Sequence, residues 1–180
     1  MRVITTIAAL ACVATVAAAQ EQAPEPMPES YREVQISMLE LQRSMLLAMA
    51  DSMPESLYRD RATPIQRDFA QQIHHAASSI VWICQRVFGA DPVTLPDTTV
   101  ALNSREGLTT YLNGVFDYGA EVLRTQSAED RATVVPFFGG VEIPKWQIWD
   151  EFHQHTVWTA GQLVANFRNH GMAPPGFGFF

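Results

Sequence analysis

An all-α, up-down four-helix bundle with a long connection before its last helix is the fold this sequence predicts. Three observations carry that expectation. Four stretches place apolar residues at three- and four-residue steps, each over about 22 to 27 residues, a length suited to bundle helices. Start and stop residues stand at their ends: Thr63-Pro64, Ser104 and Pro144 open helices, and Gly89 and Gly171 close them. Strand signal is slight, confined to the Val134–Val141 run.

The chain opens Met1-Arg2-Val3, continues small and apolar from Ile4, and ends that run Ala17-Ala18-Ala19-Gln20. A basic start, a short apolar run and a small-x-small exit describe a secretory signal peptide over residues 1–19, too short for a comfortable membrane span. The mature protein is then exported, periplasmic or secreted, and begins near Gln20. A lipoprotein signal on Cys12 is the weaker alternative, because Ala9 stands where a large aliphatic residue is usual. Residues 20–30 form an acidic linker with Pro24, Pro26 and Pro28.

The bundle is expected over 31–175. Its first helix runs from Tyr31 to Met53 with a core stripe of Val34, Met38, Leu41, Met45 and Met49, ended by Pro54. The second takes Thr63 as N-cap and Pro64 as first helical residue, turns Ile65, Phe69, Ile73 or Gln72, Ala76, Ile80, Ile83 and Val87 inward, and stops before Gly89. Residues 91–99 are proline-rich and irregular. The third runs from the Ser104 cap to Thr125, with Leu108, Leu112, Val115, Val122 and Leu123 toward the core. Gly107, Gly114 and Gly119 lower its propensity and mark close packing against a neighbour. Residues 126–143 are read as an apolar cover over the bundle, with a short hairpin as the alternative. The fourth helix spans Pro144 to Gly171. Residues 176–180 form an aromatic tail whose Phe177, Phe179 and Phe180 dock on the protein's own surface or on a second subunit.

Composition excludes several functions. The chain of 180 residues carries a net charge of −7 with no basic cluster, which disfavours nucleic acid and anionic membrane surfaces as partners. Cys84 is the lone cysteine after the signal and lies in an apolar run, so it reads as an inert buried thiol and no intrachain disulfide forms. There is no P-loop, dinucleotide-binding glycine motif, nucleophile elbow or CxxC pair. A small-molecule ligand and a homodimer formed through the bundle stay open.

The remaining chemistry lies in the histidines. His75 falls near the Ala76-Ile80-Ile83 face, whereas His74 is turned about 100° away by the helical period. His153 and His155 differ by about 200°, so at most one is expected to face inward. The company of Glu151, Trp158, Thr159 and Gln162 at three- and four-residue steps favours His155.

These residues carry a resemblance. Phe69-Ala70-Gln71-Gln72-Ile73-His74-His75 looks like the second-helix motif of the DinB/YfiT-like superfamily, in which a histidine follows an F-x-x-Q pattern. His155-Thr156-Val157-Trp158-Thr159-Ala160-Gly161-Gln162-Leu163, then Phe167-Arg168-Asn169-His170-Gly171 and Pro174-Pro175, resembles its last-helix signature. The chain is identified as an exported member of that superfamily. The resemblance implies a bundle holding one divalent metal (zinc, nickel or iron) through three histidines: one from the second helix and two, four residues apart, from the last. Carried over by position these are His75, His155 and residue 159, which is Thr159 here. A neutral hydroxyl is a poor ligand for zinc or nickel beside imidazole.

Three states of the pocket stay open: a degenerate site without metal, a metal site in which Glu151 completes a two-His-one-carboxylate set, and histidines that only satisfy core hydrogen bonds. Trp158 is read as bundle packing or a pocket wall, Gln162 as an internal hydrogen-bonding group, and Gly161 as a point of close helix approach. Two functions follow: a ligand- or partner-binding bundle with a degenerate metal site, or a divalent-metal-dependent enzyme, thiol-transferase-like or hydrolytic.

Overall fold

A computed structural model describes residues 26–176. The expected signal peptide, the first residues of the expected linker and the phenylalanines of the tail lie outside the described residues. Four long helices form the body: α1 (Glu29–Ser52), α2 (Phe69–Arg86), α4 (Arg105–Thr125) and α6 (Lys145–Asn169). Short helices α3 (Thr98–Ala101) and α5 (Ala128–Ala132) sit in the connections. An antiparallel hairpin of β1 (Val134–Pro136) and β2 (Glu142–Pro144) precedes α6, with Val135 opposite Ile143. Among the described residues no helix is long and apolar enough to cross a membrane.

The all-α bundle is as expected, but the helix directions do not simply alternate. Arg43 of α1 reaches Asp117 while Arg32 reaches the Arg124 carbonyl, so α1 and α4 are antiparallel. His74 packs on Tyr111 and Ile80 meets Gly119, so α2 and α4 run parallel. Phe69 meets Phe167 and His75 meets His155, which sets α2 antiparallel to α6. The order is therefore up, down, down, up. The segment between α2 and α4 is a crossover that returns the chain to the same end of the bundle, and α3 lies within it.

Local chemistry explains where each helix begins. α2 starts at Phe69, not at Pro64, because Asp68 forms a capping box: its carboxylate accepts from Gln71 N at 2.8 Å, and Gln71 Oε1 accepts from Asp68 N at 3.2 Å. The next free donors of the helix end also find acceptors, Phe69 N on Asp60 O and Ala70 N on Tyr58 O, each at 3.0 Å. Ile65, expected in the core, is 97% exposed. The Ser104 cap of α4 is as expected, its hydroxyl accepting from Gly107 N at 3.1 Å. α6 ends at Asn169, where Gly171 adopts φ +68° and Met172 N bonds Phe167 O, satisfying a terminal carbonyl.

The core face of α1 is rotated from the expected methionine stripe. Gln35, Leu39, Gln42, Leu46, Met49 and Ala50 are buried, and Val34 is exposed. Two buried glutamines drive the difference: Gln35 donates to Trp146 O at 2.8 Å and to Asp150 at 2.9 Å, and Gln42 pairs with His153 Nδ1 at 2.6 Å. Partnered amides are tolerated inside, so a polar residue held the core position that periodicity had given to an apolar one. Close packing at the α4 glycines is as expected: a Cβ on Gly107, Gly114 or Gly119 would lie 2.6 to 2.9 Å from Ala101, Leu95 or Ile80. Gly161 faces open space, against expectation. Cys84 is fully buried, and burial pushes its thiol up to about 12.

Candidate functional site

The α2–α6 interface brings His75 and His155 together. Their rings stand edge to face with centroids 5.2 Å apart. Antiparallel packing of two long helices fixes that apposition, and Thr156, whose hydroxyl donates to Ala76 O at 3.3 Å, ties the helices beside it. Burial holds both imidazoles below their ordinary range, and the nearby Arg67 charge pushes in the same direction. Both are therefore neutral at neutral pH.

A cavity of about 880 Å³ opens against the pair. Its floor is polar: His75, Ser78 and Ser79 from α2, Gln147, Glu151 and His155 from α6. Its walls are apolar, from Ile83, Phe152 and the hairpin residues Val141 and Ile143. The roof comes from the long connection before α6. There Phe138 stacks on Trp82 with centroids 5.1 Å apart and planes 16° from parallel, and Phe137 packs edge-on to Phe138 at 4.8 Å. Residues 126–143 are thus both a hairpin and an apolar cover, and their tip covers one side of the site. Gly139 and Gly140, at φ +72° and +79°, make the tight turn that brings the two phenylalanines over α2.

The expected residues divide by their position along α6. Glu151 lines the cavity with Gln147 and His155, at four-residue steps on one face. Thr159 is buried one turn beyond, its hydroxyl 3.4 Å from His155 Nε2. Trp158 and Gln162, expected at the pocket, do not line the cavity. The roof covers only the first half of α6, so Trp158 lies past its edge and is 77% exposed. Gln162 is exposed, not internal as expected, and its side chain accepts from the buried Gln72 amide at 3.1 Å from the edge of the interface.

The other histidines face elsewhere. His74 packs on Tyr111 of α4 at 5.2 Å. His153 pairs with Gln42 of α1, so both α6 histidines are partly buried, each against a different neighbour. Sequence reasoning missed Ser79 and Trp82, although both follow His75 at helical spacing. It also missed the roof residues, which local periodicity cannot place.

The family model described as the DinB superfamily matches residues 38–170. The chain belongs to the DinB superfamily. No curated protein and no solved structure matches it. The helix contacts bring His75 and His155 together between α2 and α6.

The three-imidazole metal set of the DinB superfamily does not fit these residues. The third position holds the Thr159 hydroxyl. Both ring nitrogens of His155 also have hydroxyl neighbours, Ser79 Oγ at 3.3 Å from Nδ1 and Thr159 Oγ1 at 3.4 Å from Nε2. Among the described residues no three His, Cys, Asp or Glu side chains are grouped as metal ligands would be.

Proposed function

We propose that this chain is an exported, ligand-binding member of the DinB superfamily in which the inherited metal position has degenerated. The observation that carries the reading is the roofed cavity over a histidine pair whose third partner is a threonine. Cavities of a few hundred to about 1,000 Å³, mostly apolar with a few convergent polar groups, are characteristic of small-molecule sites. Ser78, Ser79, His75, His155 and Glu151 supply the polar groups, and the aromatic roof supplies the apolar contact.

Elemental analysis of the purified protein, after supplementation with zinc, nickel or ferrous iron, tests the degenerate site. Metal well below one equivalent per chain is expected, with no further loss in His75→Ala or His155→Ala. One equivalent per chain, lost in both variants, overturns the reading.

A second reading is a divalent-metal-dependent enzyme, thiol-transferase-like or hydrolytic, using His75, His155 and Glu151. Glu151 lines the same cavity, and two imidazoles and a carboxylate suit ferrous iron or zinc, but the three are not grouped at ligand distance, so this reading requires Glu151 to move toward the pair. Loss of bound metal in Glu151→Gln would favour it.

Export is tested separately. Expressed as the full chain in a Gram-negative host, the protein is expected in the periplasmic fraction with an intact mass that begins at Gln20. A cytoplasmic product retaining Met1-Arg2 would exclude cleavage, and a mass beginning at a lipid-modified Cys12 would establish the lipoprotein alternative.

A further inference from the structure

The cavity is uneven in charge. Of the residues that line it, Glu151 alone carries a formal charge, and no ion pair of the described residues involves it. Glu151 is only partly exposed, so a ligand that displaced its water without offering a positive charge or a donor would leave that carboxylate unpaired. Four aromatic rings, those of Trp82, Phe137, Phe138 and Phe152, line the same space. Trp82 and Phe138 are 46% and 63% exposed, so the mouth is open to a ligand.

Ring faces carry negative potential and attract cations, most strongly where water is excluded. A carboxylate and several rings lining one cavity therefore make a receptor for positive charge on an apolar body. An anion would meet the Glu151 charge and the ring faces without one lining cation to balance them. Arg67, whose charge reaches the two imidazoles, is exposed and lies outside the lining, so solvent screens it more than it screens Glu151.

Building on the ligand-binding reading, we infer that the cavity binds an organic cation, an amine or quaternary ammonium group carried on an apolar or aromatic body. The charged head sits between Glu151 and the ring faces of the roof, and the body fills the apolar remainder of the cavity. The serine hydroxyls and imidazoles of the floor serve any hydrogen-bonding group on the head.

Titration calorimetry with three ligands of similar size tests this: 3-phenylpropylammonium, 3-phenylpropan-1-ol and 4-phenylbutyrate. The ammonium compound is expected to bind roughly tenfold tighter than the alcohol, the scale of a desolvated cation–π contact plus an opposite charge, with the carboxylate weakest. Glu151→Gln is expected to bring the ammonium and alcohol affinities together, and Phe138→Ala to weaken the ammonium compound in the unchanged Glu151 background. Circular dichroism melting of each variant separates loss of binding from loss of fold. If the alcohol binds as tightly as the ammonium, or the carboxylate binds tightest, the cation inference falls while ligand binding stands. If none of the three binds, both fall.

Discussion

Phe69→Ala is expected to lower the unfolding free energy by about 3–5 kcal/mol, the range for removing a buried aromatic ring. Phe69 is fully buried, with its ring 5.5 Å from Tyr58 and 5.8 Å, edge to face, from Phe167. It is the first residue of α2, and its own N–H bonds Asp60 O. One side chain thus joins three elements: the connection after α1, the start of α2 and the end of α6. Those elements set where His75 meets His155, so the cavity loosens as the layer is lost. Against a typical stability of about 5–15 kcal/mol this is a large fraction. Guanidinium denaturation is the measurement, with a lowered midpoint and an unchanged slope as the expected result. A loss under about 1 kcal/mol would contradict the packing described. Ile65→Ser is the matched control: at 97% exposure it should change stability by less than about 0.5 kcal/mol. Were α2 to begin at Pro64 with Ile65 in the core, the two substitutions would cost similar amounts.

How legible the fold was depended on the range of the interaction. Ser104 and Gly171 act on their immediate neighbours, so their roles were readable from the sequence. The Asp68-x-x-Gln71 box is just as local, but the Thr63-Pro64 pair five residues earlier carries the same kind of start signal and hides it. The face of α1 was misread because Gln35 and Gln42 take core positions through partners more than a hundred residues away. The parallel course of α2 and α4 depends on a crossover that no periodic pattern encodes.

The same division applies to the site. His75 and His155 were legible because each shares a helical face with its neighbours and with a recognisable family pattern. Glu151 was legible by its four-residue step. Trp158 was misplaced because the helical period puts it within about 60° of His155, while the roof that defines the cavity ends before it. The roof rests on Phe138 meeting Trp82, a contact between residues far apart in the chain.

The second large effect concerns the parallel contact that holds α2 in place. A methyl group at Gly119 would lie 2.6 Å from Ile80 Cγ2, and Ile80 is itself 1% exposed within the core. Alanine at this helical position would gain about 1 kcal/mol of intrinsic propensity over glycine. Overpacking a close-packed interior costs about 1–3 kcal/mol, and about 2–3 applies here because Ile80 has little room to give. Gly119→Ala should therefore destabilise by roughly 1–2 kcal/mol despite the better helix former. Ile80→Ala alone should cost about 2–5 kcal/mol through the cavity it leaves. Together they should not add. With Cγ2 gone, the new methyl fills part of the void and the propensity gain is released, so Gly119→Ala becomes neutral or stabilising in that background. The expected coupling is about 1–3 kcal/mol in favour of the double variant, measured by denaturation of all four proteins. Additivity within about 0.5 kcal/mol would mean that α2 and α4 do not meet at these residues.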